Sequence, residues 1–132
     1  MMKPRVMIAD DDATFRRLIA QLLRKRYLVL PAVDGHDAFE KAQEVRPDLI
    51  LLDLSMPGQN GLETLEQIRE TSELATVPVI VVTADSRRET VVAMAQAGAN
   101  DYMLKTSVTR ESRRFLDRIG SAIEDSNTVL MR

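Results

Sequence analysis

The chain has 132 residues, of which 45% are hydrophobic, so it has the usual size of one compact domain with a single core. Its 18 basic and 20 acidic residues nearly balance, and this charge gives no general attraction to nucleic acid or to an anionic membrane. Cysteine is absent, which excludes disulfides, thiolate metal sites and thiol nucleophiles. The apolar runs are too short for a signal peptide or a membrane span, and we expect a cytoplasmic protein with no membrane contact.

Short apolar runs rich in β-branched residues alternate along the chain with segments of helical periodicity. The runs predict five strands, at residues 6–9, 27–33, 49–52, 79–82 and 102–104. Apolar side chains at helical spacing predict helices between them, most clearly at 15–23, 61–69 and 115–123. Strands without polar alternation are typical of a parallel sheet covered by helices on both faces. The pattern predicts an α/β domain, (βα)₅, over residues 1–124, followed by a tail or the start of a linker over 125–132.

Four of the predicted strands end in polar residues. The first runs into Asp10 and Asp11, the third into Asp53, the fourth into Thr83 and the fifth into Lys105. If the strand order is 2-1-3-4-5, these side chains meet at the carboxyl edge of the sheet, where ligands bind in open α/β folds. The sequence therefore predicts a single site made of carboxylates, a hydroxyl and an ammonium group.

Carboxylates brought together in this way repel one another, by about 4 kcal/mol for a pair about 4 Å apart at an effective dielectric of about 20. A divalent cation offsets this repulsion, and Mg²⁺ takes a few carboxylates while keeping coordination positions for phosphate oxygens. We expect Mg²⁺ here, with Mn²⁺ as a substitute. Asp53 stands alone at its strand end, so it is the best candidate to attack a phosphoryl group whose charge the metal, Lys105 and Thr83 would counter.

Four motifs, in this order and at this spacing, resemble those of response-regulator receiver domains of two-component signalling: MIADD at 7–11, LLDLSMPG at 51–58, VVTA at 81–84 and GANDYMLK at 98–105. The resemblance covers roughly residues 4–124, which is nearly the whole of a domain-sized chain. It implies a flavodoxin-like fold, a doubly wound parallel sheet with strand order 2-1-3-4-5.

The resemblance also implies the metal and acceptor residues. Asp53 would be the phosphoacceptor and a metal ligand. Asp11 and the backbone carbonyl of Ser55 would be direct ligands, and Asp10 would bind the metal through water.

Three further positions would contact the phosphoryl oxygens, namely Thr83, Lys105 and the backbone amide of Ala84. Tyr102 would act as a switch by turning inward when Thr83 is drawn to the phosphate, although it also has the pattern of an ordinary half-buried strand aromatic. Receivers usually have proline after the lysine, often joined to it by a cis peptide bond, whereas Lys105 is followed by Thr106. A cis bond without proline costs about 3 kcal/mol, so we expect a different path or lower rigidity after Lys105.

A receiver takes its phosphoryl group from a histidine kinase or a histidine phosphotransfer protein. It catalyses only its own phosphorylation and dephosphorylation, and it acts on a downstream protein or an attached output domain. The face of the fourth helix, fifth strand and fifth helix would carry the output, or a homodimer. Arginines 110, 113, 114 and 118 lie at helical spacing there, where they could meet an acidic partner, pair with Asp101 across a dimer, or be solvated. No residues remain for a helix-turn-helix module, so we expect no direct binding of nucleic acid.

An enzyme is the main alternative, because Asp10, Asp12 and Thr14 match the short signature of haloacid-dehalogenase-like phosphohydrolases, with Asp10 as nucleophile and Asp12 as general acid. This hypothesis leaves Asp53 and the turn at 56–58 unexplained. The other interpretation of Asp12 is a helix N-cap. A flavin protein would offer hydroxyls and amides in place of three carboxylates, and a GK[ST] nucleotide loop is absent. His36 is expected to be exposed, and the methionines at 94 and 103 to fill the core.

Overall fold

The structure is a computed structural model that describes residues 2–130 and the side chains of residues 2–127. Five strands alternate with helices in the order β1 (Arg5–Ala9), α1 (Ala13–Leu23), β2 (Leu28–Ala32), α2 (Gly35–Val45), β3 (Leu49–Leu52), α3 (Gly61–Glu70), β4 (Val79–Thr83), α4 (Arg88–Gln96), β5 (Asp101–Leu104), α5 (Lys105–Arg110) and α6 (Ser112–Leu130). All four strand pairs are parallel, and the sheet order is β2-β1-β3-β4-β5. The predicted flavodoxin-like fold class and strand order are confirmed.

The central strands bury both of their faces. In β1, Val6 and Ile8 pack into one core layer with residues of α1 and α6, such as Ile19 and Phe115. The side chain of Met7 points to the other layer, which contains residues of α2, α3 and α4. Alternate residues of one strand therefore enter two different cores, which explains why the strands are continuous apolar runs.

The second strand is shorter than expected, because local hydrogen bonds remove its two end residues from the ladder. The amide of Tyr27 donates to the carbonyl of Leu23 at the end of α1. The amide of Val33 donates to the carboxylate of Asp37, 3.0 Å away.

The end of the chain also differs from the expectation. A short helix, α5, precedes the long helix α6, so α6 is the helix that was expected as the fifth. This helix continues to Leu130, whereas the apolar spacing that predicted it stops at Ile123. No Gly or Pro follows Gly120 to end the helix. Residues 125–130 are thus helical, and residues 131–132 of the expected tail lie outside the described residues. No helix within the described part of the chain is long and apolar enough to cross a bilayer.

Candidate functional site

Two aspartates lie side by side at the carboxyl edge of the sheet. Asp10 follows β1 and Asp53 follows β3, and the last residues of these neighbouring strands, Ala9 and Leu52, are in register. Both aspartates are almost fully buried, at 2% and 4% exposure, while Asp11 is exposed beside them. One carboxylate oxygen from each of the three lies within 4.8 Å of the others. The structure therefore brings together the three predicted metal-binding side chains.

Lys105 lies over this cluster. Its Nζ is 2.8 Å from Oδ2 of Asp10 and 3.3 Å from Oδ2 of Asp53, and it lies 4.6 Å from the ring centre of Phe15. Burial raises the pKa of Asp10, and the hydrogen bond from Lys105 partly opposes this effect. Burial alone would lower the pKa of Lys105, but the hydrogen bond to Asp10 and the charge of Asp53 raise it above its usual value. Lys105 is therefore held in its charged form.

The path of the chain after Lys105 is a short helix. Strand β5 ends at Leu104 and α5 begins at Lys105 without an intervening loop, and every described peptide bond is trans. Val108 anchors this helix because its side chain is fully buried. Lys105 thus reaches both carboxylates although Thr106 stands where receivers usually have proline.

The turn after Asp53 curls back on the carboxylate. Oδ1 of Asp53 accepts a hydrogen bond from the amide of Leu54 at 2.8 Å and lies 3.5 Å from that of Ser55. Gly58 has a φ of +75°, in the left-handed region that glycine tolerates. A Cβ at Gly61 would lie 2.6 Å from the carbonyl oxygen of Asp53, so only glycine permits this close approach. The loop holds the Asp53 side chain, with Oδ2 facing Lys105.

Thr83 and Tyr102 are joined through the loop between β4 and α4. Thr83 ends β4, is buried to 1% exposure, and its Oγ1 accepts from the amide of Asp85 at 3.4 Å. The hydroxyl of Tyr102 donates to the carbonyl of the same Asp85. Burial raises the pKa of Tyr102, which keeps the hydroxyl protonated as the donor. The exposed Ala84 lies between these contacts.

Two contacts beside the site were not predictable from the sequence. Asp85 accepts hydrogen bonds from the amide and guanidinium of Arg87 and from the hydroxyl of Thr90, and the Arg87 contacts hold the pKa of Asp85 well below its usual range. Arg16 donates to the carbonyl of Asp10. Both depend on side-chain geometry that spacing in the sequence does not specify.

Several smaller expectations are confirmed. Asp12 is the N-cap of α1, since its carboxylate accepts from the amides of Thr14 and Phe15. His36 is exposed, and Met94 and Met103 are buried at 4% exposure each.

The arginines of the last helix differ in their contacts. The guanidinium of Arg118 lies 3.3 Å from Asp101 of the same chain. Asp101 therefore has a partner without a dimer. Arg114 lies 3.5 Å from Glu111, and this pair is largely exposed.

Comparison with known proteins agrees with this geometry. A family model described as the response regulator receiver domain matches residues 6–117. The chemotaxis protein CheY-3 of Vibrio cholerae is 34% identical over 117 residues, which cover 87% of this chain and 90% of that protein. Hybrid signal transduction histidine kinase D of Dictyostelium discoideum is 35% identical over 109 residues, 83% of this chain and 7% of that much longer protein. The Mn²⁺-bound response regulator Rcp1 superposes with a TM-score of 0.72 at 27% identity, over 76% of this chain and 80% of that one.

The parallel sheet in the order β2-β1-β3-β4-β5, the polar residues at its carboxyl edge and the match over most of the length all agree. The chain therefore belongs to the response regulator receiver domain family of two-component signalling.

Proposed function

We propose that this chain is a phosphoryl-accepting switch and that Asp53 is the acceptor. The observation that carries the proposal is the position of Lys105, whose ammonium contacts Asp10 and Asp53 at the carboxyl edge of the sheet. Three carboxylates against this one ammonium leave a formal charge of −2 (three negative, one positive). A site of this kind attracts a divalent cation and, through it, a phosphoryl group.

The residues fit Mg²⁺, or Mn²⁺ in its place. Asp10, Asp11 and Asp53 offer hard oxygen ligands within reach of one ion, and the backbone carbonyl of Ser55 follows in the same turn as Asp53. The related Rcp1 structure is named as an Mn²⁺-bound form, which supports the assignment. When bound, the metal would neutralise charge on the transferring phosphoryl oxygens.

The proposed chemistry is the transfer of a phosphoryl group from a phosphohistidine. A carboxylate oxygen of Asp53 forms a bond to phosphorus, the phosphorus–nitrogen bond of the donor breaks, and the electron pair stays on the imidazole nitrogen, which then takes up a proton. Lys105, the hydroxyl of Thr83 and the amide of Ala84 would hold the phosphoryl oxygens. The chain would catalyse only its own phosphorylation and dephosphorylation.

Thr83 and Tyr102 would pass this change to the surface. Any movement of Thr83 toward a phosphoryl group acts on the amide of Asp85, whose carbonyl binds the Tyr102 hydroxyl. Tyr102 belongs to β5, next to α4, where Val91 and Val92 are 38% and 46% exposed. The face of α4, β5 and α6 would therefore be the output surface, for a downstream protein or an attached domain.

The donor would be a histidine kinase or a histidine phosphotransfer protein, as in two-component signalling. A homodimer through the α4–β5–α6 face is the alternative use of that surface. The Arg118–Asp101 contact within one chain removes one ion pair that such a dimer would have used.

Phosphoryl labelling tests this proposal. The protein is incubated with Mg²⁺ and acetyl phosphate, and its intact mass is measured for the wild type, Asp53→Asn and Asp12→Asn. We expect one added phosphoryl group in the wild type and in Asp12→Asn, because asparagine also caps a helix, and none in Asp53→Asn. A phosphoryl group that stays in Asp53→Asn and disappears in Asp10→Asn, with continuous release of phosphate, would favour the phosphohydrolase alternative.

A further inference from the structure

A strongly basic surface lies at the end of the molecule that is opposite to Asp53. Helix α1 starts beside Asp12 at the carboxyl edge of the sheet and runs antiparallel to the strands, so Leu23 lies at the amino edge. Residues 13–33 contain five basic residues and no acidic one, although the whole chain has a net charge of −2. Four of the five, Arg17, Arg24, Lys25 and Arg26, are exposed. This segment therefore forms a locally basic surface on a slightly acidic chain.

A groove of about 450 Å³ crosses this surface between α1 and the start of β2. Lys3, Arg17 and Arg24 contribute cations to its rim, and Tyr27 and Leu28 contribute apolar surface. Leu28 is 48% exposed, which is high for a leucine at the start of a strand. Lys3 donates to the carbonyl of Arg24 at 2.9 Å, which fixes one wall of the groove. We call these five residues the basic groove.

Among the side chains that the structure describes, no carboxylate forms a salt bridge with Lys3, Arg17, Arg24, Lys25 or Arg26. Their mutual repulsion is relieved if a partner supplies carboxylates. The surface is thus electrostatically complementary to an acidic partner.

The shape and the strand edge narrow the kind of partner. A concave site with an apolar floor and a charged rim suits a protruding side chain better than a flat lipid surface or a phosphate backbone. Strand β2 is the sheet edge beside the groove, but its Pro31 has no amide hydrogen, and the Pro31 carbonyl accepts from Lys41 at 2.7 Å. An added strand is therefore disfavoured, which leaves a partner that presents side chains from a helix.

We propose that the basic groove binds an acidic amphipathic helix of a partner protein. An apolar side chain of that helix covers Tyr27 and Leu28, and its carboxylates contact Lys3, Arg17 and Arg24. Asp53 is not among the residues that line the groove, and the proposed contacts do not involve the phosphoryl site.

Fluorescence anisotropy of the full chain with a labelled peptide tests the proposal. The probe is a glutamate-rich peptide with leucines at helical spacing, and the comparison peptide has glutamine in place of each glutamate. The double variant Arg17→Glu/Arg24→Glu is expected to bind the acidic peptide about tenfold more weakly, because two attractive rim contacts become repulsive. The control, Lys41→Glu/Arg46→Glu on α2 and at its C-cap, changes the net charge equally and should leave the affinity unchanged. Leu28→Ser should also weaken binding, and Asp53→Asn should not.

Thermal melting of each variant verifies that it folds. If Arg17→Glu/Arg24→Glu does not fold, Arg17→Gln/Arg24→Gln is used in its place. Equal losses in the groove and control variants, or equal affinity for the two peptides, would overturn the proposal because either would indicate unspecific attraction. Tighter binding of duplex DNA or phosphatidylserine vesicles that is lost in Arg17→Glu/Arg24→Glu would assign the groove to a different anion. Helix α3 carries exposed acidic residues at 63, 66 and 70, so α3 of a second copy is a possible occupant of the groove. Sedimentation of the full chain is therefore measured as well. Self-association that the same double variant abolishes would assign the groove to a second copy and overturn the proposal.

Discussion

The ammonium of Lys105 lies 2.8 Å from the buried carboxylate of Asp10, although β5 and β1 are separated in the sheet by β3 and β4. Lys105 makes this contact from the first residue of the short helix α5, directly after β5. Lys105→Met leaves Asp10 and Asp53 close together without a cation, and removing one partner of a buried pair is strongly destabilising. We expect the free energy of unfolding in urea to fall by about 2 kcal/mol, since Lys105 keeps some solvent exposure.

Mg²⁺ should restore part of the stability lost in Lys105→Met, because a divalent cation can take over the neutralisation of the carboxylates. The matched control is Lys41→Met, which removes the largely exposed pair with Asp37 and should change stability by less than about 0.5 kcal/mol. If Lys105→Met lowers the free energy of unfolding as little as Lys41→Met does, the Lys105 contacts do not stabilise the fold.

Gly35 begins α2 where this helix touches the loop after Asp53. A Cβ there would overlap the carbonyl of Gln59 and the hydroxyl of Thr64, while a Cβ at Gly120 would have its nearest neighbour at 3.9 Å. We expect Gly35→Ala to destabilise the protein by about 2 kcal/mol, because the backbone of the loop must move. Gly120→Ala, inside α6, should stabilise it by about 0.5 kcal/mol through helix propensity. Urea unfolding of both variants tests the contact, and a neutral Gly35→Ala would contradict it.

The hydrogen bonds that Arg87 donates to Asp85 predict an abnormal titration of the Asp85 carboxyl group. The hydrogen bonds from Arg87 are the main reason why the pKa of Asp85 is low, so Arg87→Ala should move this pKa back toward its usual value. Because the folded-state pKa is depressed, the stability that this carboxylate contributes is present above the unfolded pKa of 3.8 and is lost as the pH falls through the folded pKa. Carboxyl chemical shifts measured by NMR across the acid range report the titration directly. Arg88→Ala is the control. Equal titrations of Asp85 in the wild type and in Arg87→Ala would show that Arg87 does not lower the pKa of Asp85.

Arg69 is a further contact that a substitution can test. Its guanidinium donates to the carbonyls of Gly98 and Val77 and to Oδ1 of Asn100, which connects α3 with the segments before β4 and β5. A lysine offers one compact cation and cannot make this fork of hydrogen bonds. We expect Arg69→Lys to lower the free energy of unfolding by about 1–2 kcal/mol in urea. A stability equal to that of the wild type would show that these contacts contribute nothing measurable.

The parts that were predictable from sequence are those that depend on burial along the chain. Continuous apolar runs specified β1, β3 and β4 within one residue, because the interiors of strands buried on both faces are almost entirely apolar. The convergence of Asp10, Asp53 and Lys105 then followed from the strand order. The motifs that contain these residues predicted that strand order, because they resemble the motifs of receiver domains.

Other features depend on local geometry and could not be predicted. The missing proline after Lys105 gave no indication that a helix would start there. Arg118 lies at a spacing that equally fits a solvated face, a dimer contact or its observed pair with Asp101. Residues 124–127 of α6 belong to neither core cluster, so apolar periodicity could not mark the end of this helix.

The assignment of Asp53 as the phosphoacceptor is tested by locating the phosphoryl group in the labelled protein. The wild-type protein is labelled with Mg²⁺ and acetyl phosphate, reduced with borohydride, which converts an aspartyl phosphate to homoserine, and digested for peptide sequencing by mass spectrometry. We expect one modified residue, Asp53. Modification of Asp10 instead, or no modification at any aspartate, would contradict this assignment.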